Sequence, residues 1–95
     1  MDELLKHYRD GIDTLDREIV YLLSRRFDYV KEIGKIKKNS GVINPIDENR
    51  WNRVLENIKK EAKDKGLSEE FIENIWNEIH REALNLENKI KNSNI

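Results

Sequence analysis

The sequence predicts an all-α fold: a three-helix protomer with one very long N-terminal helix, paired with a second copy as an intertwined helical homodimer. Three observations carry this expectation. No proline stands between Asp2 and Lys38, and apolar residues there recur at steps of three and four. No segment has the strict alternation of a half-buried strand. Charged residues are 39% of the chain against 37% hydrophobic, a balance suited to long amphipathic helices more than to a compact monomer.

The first helix is expected from Asp2 to about Lys38, with Leu5, Tyr8, Ile12, Leu15, Ile19 and Leu22 on one seam. Gly11 and Gly34 each cost about 1 kcal/mol relative to alanine in a helix, which hints at a close approach to the backbone there, although simple tolerance is the blander reading. Asn39-Ser40-Gly41 ends the helix, because these residues accept left-handed backbone, and Asn44-Pro45 marks a loop. A second helix is expected from about Asp47 to Lys65, with Val54, Leu55, Ile58 and Ala62 inward and Gly66 closing it. Ser68 caps the third, which runs to about Lys91 with Ile72, Ile75, Trp76, Ile79, Ala83, Leu86 and Ile90 inward. The residues from Lys91 onward read as a frayed tail. There is no internal repeat, and residues 1–95 read as a single helical domain.

Length forces the expectation of a partner. A helix of about 37 residues is roughly 55 Å long, whereas a compact chain of this size has a radius of gyration near 12 Å. One copy cannot cover such a helix, and two copies laid side by side can.

Composition narrows the function. The formal net charge is −1, with Lys and Arg scattered among Asp and Glu, so nothing resembles a phosphate-neutralising patch and no nucleic-acid partner is expected. The absence of cysteine excludes a disulfide scaffold, thiol catalysis and Cys-based zinc sites, and suits a reducing compartment. No apolar run approaches the roughly 20 residues of a membrane span. The opening MDELLKHYRDG lacks the basic-then-apolar order of a signal peptide. A cytoplasmic protein without membrane contact is the expectation. His7 and His80 stand in different helices without metal-ligand spacing, so both read as surface or edge histidines and no metal site is expected. Trp51 and Trp76 stand at core spacing.

The chemistry-bearing residues are charges on the apolar stripes. Arg26 follows Ile19 by seven residues and Lys37 follows Arg26 by eleven, which places both within about 20° of the seam. Glu87 falls on the inward face of the third helix among Ile79, Ala83 and Ile90, and Ala83 leaves space one turn before it. Arg50 lies one turn before Val54, and Arg9 lies beside Tyr8 and Ile12. Long side chains of this kind can snorkel to solvent or set helix register. As a group they say more: uncompensated burial costs several kcal/mol per ion, and one carboxyl cannot satisfy four cations. A cavity with surplus positive charge fits an anion, and arginines grip carboxylates in bidentate fashion. Arg26 and Lys37 are about 16 Å apart along the axis, within joint reach of a small molecule, whereas Arg9 is about 25 Å from Arg26. In an antiparallel pair Arg9 serves the partner's cavity, which makes each site composite.

The order YRDGIDTLDREIVYLLSRR, then GKIKK, then a loop followed by DENRW, then GLSEEFIENIWNEIHREALNLE resembles the AroQ-class chorismate mutases over nearly the whole chain. The resemblance implies an all-helical dimer with two sites, each taking one Arg from the partner's long helix. By matching position that residue is Arg9, the carboxylate-binding Arg is Arg26, and the Lys at the substrate's ether oxygen is Lys37. Asp47 and Arg50 match a polar pair in the loop and at the start of the second helix, and Glu87 matches the second ether-oxygen donor. Ala83 stands where Ser is frequent, Trp51 where many members have a Glu that contacts the substrate's hydroxyl, and Glu87 where many bacterial members have Gln. RRFDYVK, residues 25 to 31, is similar to the isochorismate pyruvate lyases, relatives on the same fold that also lack that Glu.

The implied activity is the pericyclic conversion of chorismate, a small dicarboxylate, to prephenate in aromatic amino-acid biosynthesis. It requires neither nucleophile nor cofactor, and no cofactor is expected. Glu87 can donate to the ether oxygen only when protonated. The alternatives are isochorismate pyruvate lyase, a mutase of amino-substituted chorismate, and a non-catalytic helical dimer whose inward cations only fix register or bind a regulatory ligand.

Overall fold

The computed structural model describes residues 2–41 and 47–93, which form three α-helices. α1 spans Asp2–Asn39, α2 Glu48–Asp64 and α3 Glu69–Lys91. The all-α expectation holds, and among the described residues there is no strand.

Local chemistry sets the ends. After α1, Gly41 takes a φ of +72°, and the Ser40 hydroxyl donates to the Ile36 carbonyl at 2.8 Å. Asp47 caps α2, its Oδ1 accepting from the Arg50 N–H at 3.0 Å. At the other end of α2 the Leu67 N–H donates to the Ala62 carbonyl at 2.8 Å and the Gly66 N–H to the Lys63 carbonyl at 3.1 Å. This paired closure needs left-handed backbone at Gly66, whose φ is +73°. Ser68 caps α3 by accepting from the Phe71 N–H at 3.2 Å. The Asn44-Pro45 loop lies outside the described residues.

Two sequence expectations need correction. The tail does not fray from Lys91: the Ser93 hydroxyl donates to the Ile90 carbonyl at 2.7 Å, and Lys38 Nζ donates to the Ser93 carbonyl and to its hydroxyl at 2.5 and 3.0 Å. The ammonium at the end of α1 therefore satisfies acceptors that a frayed end would leave to water. Asn94 and Ile95 lie outside the described residues. Gly34 is also more than tolerated. It is buried, and a Cβ there would stand 3.1 Å from Ile90 Cδ1 and 3.4 Å from Glu87 Cα. The backbones of α1 and α3 meet at this point. Gly11, by contrast, has nothing within 4 Å of a Cβ position.

α3 is the central element, packed on α1 along one side and on α2 along the other, while α1 and α2 do not contact each other. The pairs Gly34 with Ile90 and Lys38 with Ser93 make α3 run parallel to α1. The Lys59–Glu73 ion pair at 3.7 Å and the short 65–68 connection make α2 and α3 an antiparallel hairpin. Ala62, Ile72, Ile79 and Ala83 are the buried apolar residues. Val54, Leu55, Ile58, Ile75, Trp76 and Ile90 are half-buried around them, whereas Leu5, Ile12, Leu15 and Ile19 on α1 stay open to solvent in one chain. The shape follows: the molecule measures 59 × 28 × 14 Å, with a radius of gyration of 17.2 Å.

Candidate active site

Because α1 and α2 stay apart while both pack on α3, a cleft of about 320 Å³ opens between them with α3 as its floor. α1 sends Arg26 and Lys37 into it, the start of α2 contributes Asp47, Arg50 and Trp51, and α3 contributes His80, Ala83 and Glu87. Of the site residues expected from the sequence, all but Arg9 line this one cleft. Ala83 is buried at its floor, and the small side chain preserves the space one turn before Glu87.

The charges are unevenly compensated. Lys37 Nζ stands 3.0 Å from Glu87 Oε1, with Glu87 only 7% exposed. A buried carboxylate of this kind is tolerable because the ammonium faces it. Asp47 spends one oxygen on the Arg50 N–H. Arg26 is different: its Nη1 is buried without a hydrogen-bond partner among the described residues. Burial, and after it the nearby Arg50 charge, lowers the Arg26 pKa below that of a free guanidinium. A guanidinium still remains charged at neutral pH, so the cleft contains a buried cationic donor whose hydrogen bond is unmade. Leaving such a donor unmade costs more than an average hydrogen bond gains, and an anionic acceptor removes that cost.

His80, expected as a surface or edge histidine, is half-buried and lines the cleft, stacked on Trp51 with ring centroids 4.0 Å apart and planes within 9°. Its pKa is lowered first by burial and then by Arg26, with Glu87 acting in the opposite direction. Helical spacing contained the signal: 80, 83 and 87 form one stripe of α3. His7 is exposed and meets Tyr8 edge-on at 5.3 Å.

Arg9 lies on the exposed N-terminal half of α1, about 25 Å from Arg26 along the helix, and does not line the cleft of its own chain. A second groove of about 420 Å³, between α1 and α3, is lined by charges such as Lys35 and Glu32, which pair with each other at 3.1 Å in solvent. It has no unmet buried donor among the described residues. Among those residues, no cluster of three or more potential metal ligands occurs, and no helix is long and apolar enough to cross a membrane.

The family model described as chorismate mutase type II matches residues 8–88, which include every charged residue of the cleft and Arg9. The chain belongs to the chorismate mutase type II family. It is 35% identical over 88 residues to the T-protein of Haemophilus influenzae, a match covering 92% of this chain and 23% of that protein. It is 36% identical over 92 residues to the bifunctional chorismate mutase/prephenate dehydratase of Aquifex aeolicus, covering 94% of this chain and 25% of that protein. The chain thus spans about a quarter or less of the length of these relatives. It is also 35% identical over 75 residues to the isochorismate pyruvate lyase of Pseudomonas aeruginosa, covering 79% of this chain and 72% of that protein.

Proposed function

We propose that the chain is a chorismate mutase acting as one cytoplasmic helical domain in a homodimer. The observation that carries this reading is the buried, unpartnered guanidinium of Arg26 in the same cleft as the Lys37–Glu87 pair. In a chain of this family the guanidinium takes one substrate carboxylate, and Arg9 of the other protomer takes the second. The two arginines hold the enolpyruvyl arm over the ring, which supplies the orientation contribution to rate. As the C–O bond breaks, negative charge gathers on the ether oxygen. Lys37 stabilises it more in the transition state than in the ground state. Glu87, ionised, holds that ammonium at 3.0 Å; protonated, it is a second donor to the oxygen. Asp47 fixes the first turn of α2 and with it the position of Arg50 at the cleft.

The homodimer is supported by the open apolar seam of α1 and by a radius of gyration of 17.2 Å, against about 12 Å for a compact chain of this length. An antiparallel second copy covers that seam and brings its Arg9 toward the cleft.

A second reading, isochorismate pyruvate lyase, is favoured by Trp51 in place of the hydroxyl-contacting Glu and by the Pseudomonas relative. Separate incubation with chorismate and isochorismate decides between them. Prephenate from chorismate is the expected product, with Lys37→Ala about 100- to 1,000-fold slower. Salicylate plus pyruvate from isochorismate, with chorismate untouched, overturns the mutase reading.

A further inference from the structure

We propose that His80, held flat against Trp51, is a further substrate-contacting residue that reads the ring hydroxyl of the dianion; this rests on the function proposed above. Trp51, in the first turn of α2, and His80 on α3 both line the cleft, and their 4.0 Å stack occupies one face of the imidazole. The stack holds the half-buried ring where it lines the cleft. A stacked neighbour of this kind positions a side chain at little entropic cost at the moment of binding.

Charge determines which chemistry the imidazole presents. The cleft it lines also holds the charges of Arg26 and Lys37 from α1, Asp47 and Arg50 from α2 and Glu87 from its own helix, of which Arg26 and Glu87 act on it. Lys37 is paired with Glu87, and one Asp47 oxygen is taken by the Arg50 backbone. Burial first, and after it Arg26, favour the neutral ring, with Glu87 acting against them. A neutral imidazole has one donor and one acceptor, which matches a hydroxyl. An ammonium, donor only and positively charged, is disfavoured so close to Arg26 and Arg50. The placement agrees. His80 is seven residues, about 10 Å along the axis, from Glu87. A ring bridging from Arg26 toward the Lys37–Glu87 end therefore presents its substituent to the stacked pair.

The chain has two histidines, His7 and His80, so the imidazole proton resonances are two sets that a His80→Phe variant assigns. Titration with prephenate, which has two carboxylates and a ring hydroxyl, is expected to move the His80 resonances and leave those of His7. His80→Phe, which keeps the stack, is expected to raise KM about ten-fold, the size of one lost hydrogen bond, with kcat little changed. His80→Gln restores part of the affinity. Prephenate binding seen by calorimetry with the His80 resonances unmoved, or an unchanged KM in a folded His80→Phe protein, overturns the role of His80 alone. Absence of both binding and turnover removes the mutase reading and this inference with it.

Discussion

The two halves of α1 have the same cadence of apolar residues and meet different fates. From Leu5 to Ile19 the seam is about half exposed, Tyr8 at 63% and Ile12 at 56%. Beyond Leu23 the helix lies on α3: Gly34 is buried, and Arg26, Val30 and Lys37 are half-buried. The periodicity therefore says that a face will be covered, and not by what. The difference lies in the residues that interrupt the cadence. A glycine where two backbones meet and two cations facing the cleft mark the half that packs within the chain. An unbroken apolar seam marks the half that stays exposed in one chain, the face the proposed second copy would cover.

The contrast can be broken first at the exposed half. Ile12→Glu puts a charge on a surface that is already wet in a lone chain, where such changes stay within about 0.5 kcal/mol. If a second copy covers the seam, the same change is expected to cost about 4 kcal/mol or more, the range of a buried unpaired charge. The check is light scattering together with the dependence of Tm on protein concentration. Monomers with lower thermal stability are the expected result. At the packed half the corresponding change is Gly34→Val, expected to cost about 1–3 kcal/mol by overpacking against Ile90 and the Glu87 backbone. Gly34→Ala gains about 1 kcal/mol of helix propensity against a neighbour that must yield from 3.1 Å, and should lie close to neutral. Denaturant midpoints of the two variants give the comparison.

The smallest effect is electrostatic. The folded-state pKa of His80 is depressed below its ordinary 6.5, so the unfolded chain takes up a proton that the folded one resists. The sign follows: stability is greatest above about pH 6.5 and declines as pH falls through the depressed value, below which the loss is complete. Chemical denaturation of wild type and His80→Phe just below pH 6.5 should show a shallower pH slope in the variant.

Much of this was legible in the sequence because it depends on local rules. Caps at Asp47 and Ser68 and left-handed glycines at 41 and 66 set helix ends through neighbours within a few residues. The inward angles of Arg26, Lys37 and Glu87 follow from helical spacing alone. What was not legible depends on partners distant in the chain. Lys38 reaches Ser93 across 55 residues, Gly34 meets Ile90, and His80 finds Trp51 on another helix. No local rule names such neighbours. The stripe shared by His80, Ala83 and Glu87 was present, but it becomes informative only once Glu87 is known to face a cleft.

Complementation between protomers tests the composite site most directly. Arg9→Ala and Lys37→Ala damage the two halves of α1 separately, and each protein alone should be nearly inactive. Co-refolded in equal amounts, half of the dimers are mixed, and each mixed dimer has one intact cleft with an intact partner arginine, so about a quarter of wild-type activity should return. Failure of activity to return while the mixed dimers form would contradict a cleft completed by the second chain.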